Sequence, residues 1–69
     1  MLVKVNGRTQ TVEAQSVTVA ELLILNQVAT PVMVAVQLNG EFVELPDYET
    51  TTVRDNDEVE FVYFLGGGR

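Results

Sequence analysis

The chain has 69 residues, 46% of them hydrophobic, which is enough for one domain and too little for two. It contains no cysteine and no histidine. That removes disulfides, thiol nucleophiles and the commonest general base, and it leaves zinc only carboxylates, a poor prospect for a metal site. The net charge is −6, and binding to nucleic acid would need a basic face.

Residues 2–6, "LVKVN", alternate apolar and polar side chains and predict a half-buried strand. Asn6-Gly7 is a hairpin signal, because both residue types tolerate positive φ. Residues 9–14, "TQTVEA", read as the returning strand. The period then changes. Thr18 and Glu21 match a capping box, and Val19, Leu22, Leu23 and Asn26 follow at helical spacing, with Leu25 and Val28 widening the apolar side. A helix over residues 19–28 is predicted, with Pro31 blocking its continuation.

Residues 32–40, "VMVAVQLNG", form a third strand, apolar on both faces through Val36 and therefore expected to be partly covered on both sides. Asn39-Gly40 repeats the turn signal. Residues 41–45, "EFVEL", predict a short fourth strand whose glutamates suit a solvent-facing edge. Pro46-Asp47 starts a turn, residues 48–53 read as irregular, and Tyr48 is the expected anchor to the core. Asp55, Asn56 and Asp57 form a turn. The last strand is residues 58–65, "EVEFVYFL". Val59, Phe61, Tyr63 and Leu65 face one way; Glu58, Glu60, Val62 and Phe64 face the other.

The order is strand, strand, helix, strand, strand, strand. One amphipathic helix covers one face of a mixed sheet, which makes the fold class α+β in two layers. The most apolar strand, the last, belongs in the centre beside the first. This is the ubiquitin-like β-grasp arrangement, with a sheet of four to five strands and the helix packed across one face. Residues 1–65 form the domain and residues 66–69 a flexible, glycine-rich tail. The apolar runs are too short to span a bilayer, and no secretory signal follows Met1. The reading is a soluble cytoplasmic domain without membrane association, monomeric when free.

Charge is uneven along the chain. Residues 1–40 balance Lys4 and Arg8 against Glu13 and Glu21, whereas residues 41–69 set eight acids against Arg54 and Arg69. The acidic half either keeps a small domain soluble or docks a basic protein partner.

These segments, in this order, resemble the ThiS-type sulfur carriers of thiamine (thiazole) biosynthesis, relatives of ubiquitin and of the small subunit of molybdopterin synthase. The resemblance spans the chain: "LVKVNG", "VTVAELL", "VAVQLNGEFV", "VRDNDEVEFV", and the closing Gly67-Gly68. Each piece is weak alone, and their order and spacing carry the signal. Asn56 stands where the family usually has glycine, Tyr48 where it commonly has tryptophan, and Glu44-Leu45-Pro46 where it often has Pro-Arg. Family members generally end at the second glycine, whereas Arg69 follows it here.

The resemblance implies a protein cosubstrate rather than an enzyme. A ThiF-type adenylating enzyme, using ATP and magnesium, would adenylate the Gly68 carboxylate. A sulfur donor would displace AMP to leave a thiocarboxylate, and a ThiG-type thiazole synthase would take the sulfur. The chain itself would bind no cofactor. Gly66 and Gly67 would form the arm that threads a narrow channel, since glycine has no Cβ to obstruct it. Phe64 and Leu65, where the strand leaves the sheet, with Glu58 and Glu60, are the candidate partner contacts.

Terminal glycines in an arbitrary protein are most often a frayed end; after this strand they read as a working arm. Arg69 has three readings: an extension removed by a protease, a residue tolerated in a protein that never carries sulfur, or an addition foreign to the natural chain. The alternatives for function are a sulfur carrier of another pathway (molybdopterin or cysteine synthesis), a ubiquitin-like modifier, and a non-covalent β-grasp adaptor.

Overall fold

The computed structural model describes residues 1–63. Among the described residues, seven strands and one α-helix follow in the order β1 (Leu2–Val5), β2 (Arg8–Thr11), β3 (Ser16–Thr18), α1 (Val19–Leu25), β4 (Val34–Leu38), β5 (Glu41–Val43), β6 (Thr52–Arg54) and β7 (Glu58–Tyr63). Five strands form one mixed sheet in the order β2-β1-β7-β4-β5, and β3 pairs with β6 in a small second sheet. β7 runs parallel to β1 and antiparallel to β4. The β-grasp arrangement with the last strand in the centre is thus present.

Both Asn-Gly turns take left-handed backbone at both residues: Asn6 and Gly7 have φ of 53° and 83°, Asn39 and Gly40 of 51° and 87°. That geometry matches the twist of the strands it joins. The capping box also forms. Thr18 Oγ1 accepts from the Glu21 amide at 3.1 Å, and Glu21 Oε1 accepts from the Thr18 amide at 2.8 Å.

The helix is shorter than residues 19–28. Asn26 caps it, and Gln27 turns left-handed with φ 61°. The Gln27 amide then donates to Ile24 O at 2.9 Å and the Val28 amide to Leu23 O at 3.0 Å. This is the Schellman pattern, which satisfies the last free carbonyls. Val28 still packs against the core, but from beyond the helix.

Two further expectations change. Residues 48–53 are not wholly irregular: β6 pairs with β3 through Val17↔Val53, and both valines are buried. Residues 32 and 33 belong to a 3-10 turn that starts at Pro31, so β4 begins only at Val34.

The core lies between the helix and one sheet face. Val3, Val34, Val36, Val59 and Phe61 of the sheet meet Val19, Leu22 and Leu23 of the helix, with Val17, Val53 and Tyr48 closing the side. Tyr48 is the expected anchor: it is buried, and its hydroxyl donates to the Val34 carbonyl at 2.9 Å. Among the described residues, no helix is long and apolar enough to cross a membrane.

Candidate functional site

The candidate site begins where β7 leads toward the chain's glycines. Gly66, Gly67, Gly68 and Arg69, with Phe64 and Leu65, lie outside the described residues. The structure therefore bears on the platform that precedes them: β7, its two neighbours and the exposed face of the sheet.

β7 is fixed first at its start. Asn56 stands in the left-handed region with φ 71°. Asparagine tolerates this conformation better than most side chains. Asp57 Oδ2 accepts from the Arg54 amide at 2.8 Å, and Asp57 Oδ1 accepts from Asn39 Nδ2 at 3.1 Å. Asp55 Oδ1 accepts from the Leu2 amide at 2.7 Å. Both aspartates thus serve the turn, as their positions suggest. Among the described residues no cluster of acidic side chains is arranged to hold a metal ion.

Along β7 the side chains alternate. Val59 and Phe61 are buried under the helix, while Glu58, Glu60 and Val62 are exposed on the far face. Although β7 is central in the sheet, its far face is open. One helix has only one layer to give, and within this chain nothing described covers the far side. Val62 keeps 47% of its surface and Tyr63, on the helix side at the end of the strand, keeps 52%.

The register shows what surrounds these residues. Val62 lies opposite Ala35 and Glu60 opposite Gln37; Phe42 faces Gln37 from the other side. Phe42 is 68% exposed. Lys4 lies opposite Glu58 on β1. The far face therefore presents Val62, Ala35 and Phe42 on one part and Glu58 and Glu60 beside them. Apolar anchors next to charged groups are the usual make-up of a protein contact surface. Glu58 and Glu60 were legible in the sequence as candidates. Phe42 and Ala35 were not singled out, because their approach to β7 depends on strand pairing. The signal was available in the alternation of "EFV", which sends Phe42 to the opposite side from Glu41 and Val43.

The model of the ThiS family matches residues 2–68. A crystal structure of a thiamine biosynthesis protein (ThiS) from Geobacter metallireducens is similar to this chain at 49% identity, with a TM-score of 0.87, covering 99% of this chain and 100% of that one. A solution NMR structure of a thiamine biosynthesis protein from Geobacter metallireducens is similar at 48% identity and a TM-score of 0.82, covering 100% of this chain and 90% of that one. No curated protein matches the chain significantly.

Proposed function

The chain belongs to the ThiS family, and from that premise we propose that it is a sulfur carrier of thiamine biosynthesis whose working group is the α-carboxylate of Gly68. The observation that carries this reading is the extent of the family match, which includes Gly66, Gly67 and Gly68 and stops before Arg69. The chain supplies position rather than acid, base or metal.

An adenylating partner of the ThiF type would bind the carrier. The Gly68 carboxylate would attack the α-phosphate of magnesium-bound ATP, releasing pyrophosphate and leaving an acyl-adenylate. A sulfur donor would then displace AMP to give the thiocarboxylate, from which a thiazole synthase of the ThiG type takes the sulfur. Glycines suit the arm because the reacting carbonyl meets nucleotide and sulfur donor without a side chain in the way. The far face supports the docking part of this reading. Val62 and Phe42 are exposed apolar anchors there, and Phe64 and Leu65, which follow in sequence, are the further candidate contacts. Glu58 and Glu60 would steer a basic surface onto that face.

Arg69 matters because a Gly68 carbonyl in a peptide bond has no carboxylate to activate. On this reading the carrier acts only as a chain ending at Gly68, and if Arg69 belongs to the natural chain a protease removes it first. The test is to incubate the full chain and a chain ending at Gly68 with an adenylating enzyme, ATP, magnesium and a sulfur donor, and to read thiocarboxylate by intact mass. Product from the shorter chain alone is expected. Equal product at Gly68 in a chain that retains Arg69 would contradict the reading, and covalent conjugates to lysine in place of thiocarboxylate would point to a protein modifier.

A further inference from the structure

β1 and β7 run parallel, with Lys4 opposite Glu58 and Val5 opposite Val59. Two rungs mark the ladder: the Lys4 amide donates to Asp57 O at 3.0 Å and the Asn6 amide to Val59 O at 2.9 Å. β1 ends at Val5, because Asn6 and Gly7 turn left-handed to open the hairpin. The next rung, the Phe61 amide, would therefore fall one step beyond the strand. A side chain meets it instead. The Phe61 amide donates to Asn6 Oδ1 at 2.7 Å, across 55 positions of sequence, at a partly buried site.

The other flanking hairpin does the same at the start of β7, where Asn39 Oδ1 accepts from the Glu58 amide at 2.9 Å. Two asparagines, each the first residue of an Asn-Gly turn, thus grip the central strand by its backbone. Of the two, Asn6 holds the later half of β7, on its β1 side, while β4 pairs with that half on the other side as far as Tyr63. Turn geometry does not require this, since glycine would serve the left-handed position as well.

We propose that Asn6 is a positioning residue for the reaction at Gly68: its side-chain oxygen completes the β1–β7 ladder and fixes the base from which the glycine arm enters an activating site. The proposal rests on the carrier reading above. A strand held on both sides offers a better defined point of departure for the residues that follow than one held on the β4 side only, which favours productive placement of a reacting carboxylate.

The test uses chains ending at Gly68. Asn6→Gly removes the acceptor while keeping the turn backbone unstrained, and Asn6→Asp keeps both an acceptor oxygen and a side chain tolerant of positive φ. In the unaltered chain the Phe61 amide is expected to resist hydrogen exchange as well as the Val59 amide does, a comparison that needs no variant. In Asn6→Gly the Phe61 amide should exchange about tenfold faster with the Val36 amide unchanged, and Asn6→Asp should restore protection. In ATP–pyrophosphate exchange with an adenylating enzyme, KM for the carrier should rise several-fold in Asn6→Gly while kcat stays within about twofold, with carrier concentration counted as the folded fraction from urea unfolding, because unfolded carrier alone would also raise the apparent KM, and Asn6→Asp should restore it. A Phe61 amide that exchanges freely in the unaltered chain, or a KM unchanged in Asn6→Gly, overturns this proposal alone. Failure of the unaltered chain to be adenylated overturns the carrier reading and this proposal with it.

Discussion

The Tyr48 hydroxyl ties the loop before β6 to β4 by donating to Val34 O at 2.9 Å. Burial pushes its phenol above the ordinary value, opposed in part by the nearby Val36 backbone. The protonated form is therefore favoured in the folded state. Stability should be insensitive to this group below the unfolded pKa near 10 and should fall as pH rises from there toward the raised folded value. Tyr48→Phe is expected to lose about 1 kcal/mol at neutral pH, the usual worth of one hydrogen bond, and to flatten the alkaline decline. Urea unfolding at neutral pH and at successive steps above pH 10 would check both. An unchanged midpoint and an unchanged alkaline limb in the variant would contradict this account. Single residues were also where the sequence was most readable. Asn6-Gly7 and Asn39-Gly40 announce left-handed turns by chemistry alone, and Tyr48 stands out as an aromatic in a loop. What the asparagine side chains reach could not be read, because Phe61 and Glu58 approach them only once the sheet has formed.

At the scale of the element, α1 depends on its ends, because seven residues are too few to be stable alone. Thr18→Ala removes the acceptor for the Glu21 amide and should cost about 1 kcal/mol by thermal or urea unfolding. At the other end, Gln27 holds φ 61° without glycine's freedom. Gln27→Gly should relieve that strain and stabilise the domain by up to about 1 kcal/mol; a loss of stability would show that the glutamine side chain has a role the geometry does not reveal. The two ends differ in how far they could be foreseen. Thr-x-x-Glu is a local signal, so the start of the helix was legible. The stop was not, since glutamine is an uncommon residue for a left-handed cap and Leu25 and Val28 prolong the apolar pattern past it. The three-residue strands β3 and β6 are likewise too short for alternation to register, and only their mutual pairing makes them strands.

At the scale of the whole molecule, the far side of the sheet sets apolar Val62, Ala35 and Phe42 beside Glu58 and Glu60, on the strand that leads to the glycines. If that surface guides an adenylating partner, replacing Glu58 and Glu60 together by glutamine should slow association and weaken its salt dependence while leaving stability nearly unchanged. Association rates at two ionic strengths would check this, and identical salt slopes for the two proteins would place the contact elsewhere. The acidic second half was plain from sequence, and so was the central place of the last strand, because it is the most apolar. The open far face was not, because an apolar pattern does not tell a buried face from one kept for a partner.

The central claim is that Gly68 carries sulfur, and it turns on one peptide bond. The intact mass of the protein recovered from the cell that makes it, grown under demand for thiamine, tests the claim most directly. The expected result is a species that has lost Arg69, with a fraction bearing sulfur in place of one oxygen at its carboxyl end. A population that retains Arg69 throughout and shows no exchange of oxygen for sulfur would contradict it.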